Sequence, residues 1–273
     1  FHAVNPYLRR LLEAGYQVAL CEQVSDPETA KGLVERRVTR VLTPGTVIEE
    51  DFLAGKRHNY LAAIYPAEEG CGLAWTDIST GRLAVAEVPL ARVPEEVAAL
   101  SPSECLAPHE IPVAGGVPLI RSLDVDLGGV VARRDNYHFA LPRGHDRMLK
   151  QFGLATLQGF GLTPSSPAVG AAGALLQYLE EMYPDALRHL KQLSRVSRDH
   201  SVRLDQCTRE CLELTETMRR HGEQGTLVGV LDRCRTTMGS RLLREWLLHP
   251  LKDVAVIQDR QQGVLELVDR RKL

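Results

Sequence analysis

The chain has 273 residues, a length that favours two domains or more. Hydrophobic residues make up 44% and charged residues 25%, the composition of soluble, core-forming domains. The net charge of −2 projects no global basic field towards nucleic acid, and no apolar run reaches membrane-spanning length. No signal peptide is visible, and the six cysteines include no Cys-x-x-Cys pair, so the expected compartment is a reducing cytoplasm. The chain opens on Phe1 and stops inside a helical pattern at RRKL, which reads as an internal fragment of a larger protein.

In chain order, Asn5-Pro6 predicts a helix start, a capping side chain followed by Pro, with the helix ending near Gly15. Residues 16–22 and 34–42 read as strands, and Thr43-Pro44-Gly45 as a turn. The polar stretch 49–56 reads as linker. Residues 60–65, 72–79 and 82–88 read as three successive strands, with Ser79-Thr80-Gly81 as the last turn. A short helix is expected over 94–100, then a Pro- and Gly-rich stretch over 107–130 with little signal, then helices over 145–152 and 167–182. The second of these carries the stripe Val169, Ala172, Leu176, Leu179 and Tyr183. Strands mixed with helices imply an α/β layer.

The rest reads as helical. Leu204, Cys207, Cys211, Leu214 and Met218 repeat in steps of 3 and 4, with Leu212 beside the stripe. Met238, Leu242, Leu243, Trp246 and Leu247 form another apolar face, ended by Pro250. Asp253 is placed to cap a last helix striped by Val254, Ile257, Val264 and Val268 and interrupted by Gln261.

Catalytic motifs are mostly absent from the sequence. It contains no Gly-x4-Gly-Lys-Ser/Thr phosphate loop, Gly-x-Gly-x-x-Gly turn, Gly-x-Ser-x-Gly elbow or His-Glu-x-x-His pair. No nucleotide-binding or catalytic residue is therefore assigned. Cys207, Cys211, His221 and Cys234 can be drawn as a zinc site, but both helical cysteines fall in the apolar stripe, where free Cys acts as a small buried hydrophobe. No metal site is assigned. Asp77 offers two readings, a strand carboxylate for Mg²⁺ in a nuclease or a side chain ordering the Ser79–Gly81 turn; the lack of partner carboxylates favours the second.

Two segments are locally basic. Lys31, Arg36, Arg37 and Arg40 face only Glu35 between 31 and 40, and Arg188, Lys191, Arg195, Arg198 and Arg203 face only Asp199 between 188 and 203. Strand alternation sends Arg36 and Arg37 to opposite faces, leaving either a phosphate contact or a solvated strand edge.

Thr226-Leu227, Leu231-Asp232, Thr236, Met238-Gly239, Arg241, Leu243, Trp246-Leu247 and Pro250-Leu251 stand in an order that resembles the helical scaffold pattern of the MutS family of DNA mismatch repair proteins. Cys21-Glu22-Gln23, Asp26-Pro27, Lys31-Gly32, Val34-Glu35-Arg36 and Thr43-Pro44-Gly45-Thr46 are similar to the end of its mismatch-binding domain. Asn59 to Ile64 and Asp77 to Gly81 are similar to its connector, and Leu204-Asp205, Thr208-Arg209 and Leu212-Glu213-Leu214 to the start of its helical core. Cys211 and Cys234 depart from the pattern, standing where Asn and Thr are common, and put local capping in doubt.

The resemblance implies a multi-domain α/β plus all-α chain. Residues 1–46 would be the C-terminal part of an α/β mismatch-binding domain, 47–57 a linker, 58–196 an RNase H-like connector without nuclease activity, and 197–273 the start of a helical core/lever domain. It implies a full-length homodimeric clamp that recognises mispairs and small loops in double-stranded DNA, uses ATP and Mg²⁺, and signals to a MutL-like protein through the connector. The mismatch-reading Phe-x-Glu would precede Phe1, and the clamp and ATPase would follow Leu273, so this piece itself would not be an enzyme. The resemblance also tips Arg36 towards a DNA-backbone contact, with Lys31 and Arg37 as further candidates. The alternatives are a metal-dependent RNase H-like nuclease and a non-catalytic scaffold of another pathway.

Overall fold

The computed structural model describes residues 4–23, 36–46, 56–68, 70–110, 123, 130–197, 201–218 and 222–270. The chain divides into two compact units, one built from 1–54 with 58–196 and the other from 55–57 with 197–273.

The first unit begins with helix α1 (Asn5–Glu13) and a two-stranded antiparallel ribbon of β1 (Val18–Gln23) and β2 (Arg36–Leu42). Val4, not Asn5, sits at the cap of α1 and makes no side-chain cap bond, while Pro6 lies in the first turn. Pro therefore sets the helix start without the expected capping bond. Leu8 and Leu12 of α1 bury against Leu42, closing a small core at the base of the ribbon.

Beyond it lies a mixed sheet with the strand order β7–β6–β3–β4–β5–β8. β3 (Leu61–Ala67), β4 (Gly70–Asp77) and β5 (Arg82–Val88) run antiparallel in succession. β6 (Glu104–Pro108) pairs parallel with β3, β7 (Val131–Arg134) parallel with β6, and β8 (Gln192–Arg195) parallel with β5. The sequence reading found the antiparallel three and missed the parallel three. Every residue of β6 is buried, so it lacks the polar alternation that betrays a half-exposed strand.

Side-chain alternation splits the sheet between two cores. Ala62, Ile64, Leu73, Trp75, Ala84 and Ala86 pack on one face with Val93, Val97 and Leu100 of α2 (Val93–Leu100). Leu61, Ala63, Ala74, Leu83, Val85 and Leu106 pack on the other, against α3 (Leu141–Phe152), α4 (Pro167–Met182) and α5 (Pro184–His189). Helix α3 starts four residues before the predicted His145, with Pro142 in its first turn. Helix α4 lies very close to the sheet: a Cβ on Gly72 would fall 2.1 Å from the Pro167 carbonyl oxygen. Only glycine permits that approach.

The second unit is helical: α6 (Gln206–Cys211), α7 (Leu227–Leu231), α8 (Thr237–Leu248) and α9 (Val254–Arg270). Hydroxyl and carboxylate caps set the starts. Asp205 accepts from Thr208 N–H, Thr226 from Gly229 N–H and Thr236 from Gly239 N–H. Asp253 caps α9 as expected, accepting from Ala255 N–H at 2.9 Å. Thr226 and Thr236 are both residues of the scaffold pattern, which gives that pattern a physical basis.

Two expectations fail here. The stripe from Leu204 to Met218 is not one helix, because α6 ends at Cys211 and Glu213 takes a positive φ of 45°. Leu214 is buried, but Cys207, Cys211, Leu212 and Met218 are exposed. On α8 the buried residues are Ser240, Arg241 and Arg244, while Met238 and Leu242 are exposed. Hydrophobic spacing found the helix but not its most buried residues: Leu243, Trp246 and Leu247 are half-buried, while buried Arg244 pairs with Glu223 and buried Ser240 donates to Asp232.

Candidate functional site

Arg36 and Arg37 stand on the described stretch of β2 farthest from its buried end. Arg36 is opposite Gln23 and Arg37 opposite Glu22 in the ribbon, and both are exposed. Their successive positions point them to opposite sides. Lys31 lies outside the described residues, as do the side chain of Arg40 and the bulk of the predicted 49–56 linker. The pairing slips between Leu20 and Cys21, an irregularity that increases ribbon twist near the arginines.

At the other end, the chain leaving β2 is clasped. Thr43, Gly45 and Thr46 form a tight turn in which Thr43 N–H donates to Thr46 Oγ1 at 3.1 Å. Glu104, at the start of β6, is buried and receives Thr43 Oγ1–H at 2.6 Å, Gly45 N–H at 3.2 Å and Tyr178 O–H at 2.5 Å. Gln17, just before β1, donates to Tyr178 Oη at 3.3 Å. A Cβ on Gly45 would sit 2.9 Å from Glu104 Cβ, so the turn closes this tightly only with glycine. Asn59 adds a bond to the Pro44 carbonyl at 3.0 Å and accepts from Ser103 Oγ.

Burial raises the Glu104 pKa above the ordinary carboxylate range, opposed by the hydrogen bonds from Thr43, Tyr178, Gly45 and Gln17. Burial and the neighbouring Glu104 also push the Tyr178 hydroxyl up. Sequence reading saw a turn at 43–45 and nothing at 104. The available signal was an acidic residue inside the otherwise uncharged run Ser103–Pro108 (SECLAP).

Asp77 takes the turn-ordering role. Its Oδ1 accepts Ser79 N–H at 3.1 Å and Ser79 Oγ–H at 2.6 Å, while Oδ2 lies 2.8 Å from His58 Nδ1. Both oxygens are thereby engaged by protein groups. Among the described residues, no group of three or more His, Cys, Asp and Glu is placed to hold a metal ion. His221 lies outside them.

Two arginines of the second basic segment have acidic partners. Arg195 pairs with Glu87 and donates to the Gly161 carbonyl, and Arg188 pairs with Asp185. Residues 198–200 are outside the described set. In the helical unit, Arg57 bridges Glu216 at 2.6 Å and Glu223 at 3.0 Å, and buried Arg244 joins Glu223. Burial alone would lower the Arg57 pKa, but the bonds to Glu223 and Glu216 outweigh it and raise it. Asp232 takes Lys56 Nζ at 3.0 Å, Cys234 N–H at 3.0 Å and Ser240 Oγ–H at 3.0 Å. The bond from Lys56, with the Cys234 amide, pulls Asp232 down to about 2. Cys234 contributes its backbone there, so the departure from Thr leaves this bond in place.

No helix among the described residues is long and apolar enough to cross a membrane. Three family models match the chain in succession: MutS domain I over residues 1–51, MutS domain II over 59–191 and MutS domain III over 207–273. The chain is 38% identical over 273 residues to a DNA mismatch repair protein MutS of Syntrophomonas wolfei, covering 98% of this chain and 31% of that protein. It is 41% identical over 274 residues to one of Symbiobacterium thermophilum, covering 99% and 31%. It is 36% identical over 264 residues to one of Dehalococcoides mccartyi, covering 97% and 30%. The chain thus spans about a third of the length of the curated relatives it matches. Three domain models in order and identities of this size over nearly the whole chain establish that it belongs to the MutS family.

Proposed function

We propose that this chain is the part of a DNA mismatch repair protein that carries a DNA-facing ribbon and fastens it to a connector. The observation that carries this reading is the contrast between the two ends of the ribbon. Arg36 and Arg37 stand exposed at one end, and the turn at the other is clasped by buried Glu104. Exposed guanidinium groups on a strand supply affinity and register through phosphates without reading sequence. Lys31, Arg36 and Arg37 are the proposed backbone contacts.

In this reading, 1–46 is the tail of the mismatch-binding domain, 47–57 the linker, 58–196 the connector and 197–273 the start of the helical core/lever domain. An antiparallel trio extended by parallel strands, with helices on both faces, supports an RNase H-like connector. The engagement of Asp77 by Ser79 and His58 supports a structural rather than a nucleolytic role. The full-length protein is proposed to bind mispairs and small loops as a cytoplasmic homodimer, to use ATP and Mg²⁺ outside this stretch, and to meet a MutL-like partner through the connector. Kinking duplex DNA at a mispair costs about a few kcal/mol per unstacked step, so the proposed mismatch-reading Phe-x-Glu needs a firmly held support.

The test is binding of the full-length protein to matched and mismatched duplexes of otherwise equal sequence. Tighter binding to the mismatched duplex, without Mg²⁺-dependent cleavage, is expected. Equal affinity for the two would overturn the mismatch reading, and Mg²⁺-dependent cleavage would favour a nuclease.

A further inference from the structure

The helical unit carries a pair of thiols that neither the ribbon nor the connector uses. Cys207 and Cys211 lie one turn apart on α6, both free and both exposed, with their sulfurs 3.9 Å apart. We infer that Cys207 and Cys211 form a dithiol site for a soft, thiophilic centre that needs two protein sulfurs, such as a monosubstituted trivalent arsenical.

The geometry distinguishes this chemistry from its competitors. Two sulfurs on one pyramidal trivalent arsenic, with bonds of about 2.3 Å and angles of roughly 95–100°, stand about 3.4–3.5 Å apart. The 3.9 Å between these sulfurs is within a small side-chain rotation of that spacing, so α6 keeps its shape when the centre bridges them. A direct disulfide instead requires an S–S bond of about 2.05 Å and Cβ atoms about 3.5–4.5 Å apart. Residues at i and i+4 of a helix keep their Cβ atoms about 5–6 Å apart, so that bond would pull the turn open. A tetrahedral zinc site needs four ligands, and among the described residues no third His, Cys, Asp or Glu joins this pair.

The surroundings point the same way. The hydrogen bond with Cys211 raises the Cys207 pKa, helped by the nearby charges of Cys211, Asp205 and Glu210. A raised thiol is slow as a lone nucleophile at neutral pH, which disfavours one-thiol alkylation. Condensation with an arsenoxide is balanced without a redox partner. R–As=O and two thiols give R–As(S)₂ and water: two As–S bonds form, the As–O bonds break, and the two thiol protons leave with the oxygen. The remaining cysteines do not compete as pairs. Cys71 and Cys105 are buried, with burial pushing the Cys71 thiol up to about 12, while Cys21 is a single exposed thiol and Cys234 a half-buried one.

The experiment uses the folded, reduced 273-residue chain and phenylarsine oxide, read by intact-protein mass spectrometry with peptide mapping. One adduct per chain is expected, spanning Cys207 and Cys211, surviving excess monothiol and released by a dithiol. Closing the second bond within one site should make retention at least about ten-fold stronger than in Cys207→Ser or Cys211→Ser. Both positions are exposed, and circular dichroism checks that each variant folds like the parent. Equal retention in the single variants, or an adduct mapped to Cys21 or Cys234, would overturn the site. A Cys207–Cys211 disulfide formed on mild peroxide treatment with α6 intact would overturn the geometric argument.

Discussion

Thr43 and Glu104 are separated by 61 residues in the chain and by 2.6 Å in space, hydroxyl to carboxylate. The bond joins the turn that ends the ribbon to the first residue of β6, and Tyr178 from α4 seals it on the other side. Three segments distant in sequence are thus fastened at one buried carboxylate.

Glu104 should make stability depend on pH in a definite direction. Burial raises its pKa, so the folded chain holds this proton more tightly than the unfolded chain. The linked stability is fully present below the ordinary glutamate value of about 4.3 and is lost as pH rises through the raised value. Glu104→Gln cannot ionise, so wild-type stability minus variant stability should shrink with rising pH across that window. Glu104→Ala, which strands Thr43, Gly45 and Tyr178, should cost about 2–4 kcal/mol. Urea titrations at a series of pH values check both; parallel wild-type and Gln curves would refute the linkage.

Asp232 should act at the acid end with the opposite sign. Its pKa is pulled to about 2 by Lys56 and the Cys234 amide, below the ordinary value. The stability it contributes is present above about 3.9 and is lost as pH falls through about 2. Asp232→Asn should destabilise the helical unit at neutral pH and flatten its acid limb. An unchanged acid transition, followed by hydrogen exchange in 227–248, would count against the role.

Arg36→Ala, made in the full-length protein, should weaken binding to matched and mismatched duplexes alike. Loss of one phosphate contact lowers the salt slope of log K by about one unit. A loss confined to mismatched DNA, or an unchanged slope, would show that Arg36 does not touch the backbone.

Leu214 and Leu212 should behave very differently despite being two residues apart. Leu214 is 7% exposed and Leu212 is 55% exposed. Leu214 also accepts the Val228 N–H at 2.9 Å through its carbonyl, tying its turn to α7. Leu214→Asp buries an unpaired carboxylate and should cost several kcal/mol, roughly the stability of a small domain. Leu212→Asp should stay within about 0.5 kcal/mol. Thermal unfolding of the two variants decides, and equal losses would mean that the helical unit packs differently in solution.

What the sequence determined by itself was local. The 3-and-4 spacing in 167–182 marks α4 with its observed bounds, and the run 82–88 marks β5. Asp77 orders Ser79 because a carboxylate two residues away reaches that amide from nearly any fold, and Asp253 caps α9 for the same reason. Such bonds depend on near neighbours, so residue type and spacing reveal them. Only the tertiary structure decided the rest. β6, buried throughout, shows no alternation to read, and β8 pairs with β5 across a separation that periodicity does not encode. Spacing on α8 shows an apolar side but not that Ser240, Arg241 and Arg244 are its most buried residues, because the pairing of Arg244 with Glu223 joins residues that periodicity does not link. The Glu104 clasp arises where three distant segments meet, and its chemistry exists only after the chain has brought Thr43, Gly45 and Tyr178 to one carboxylate.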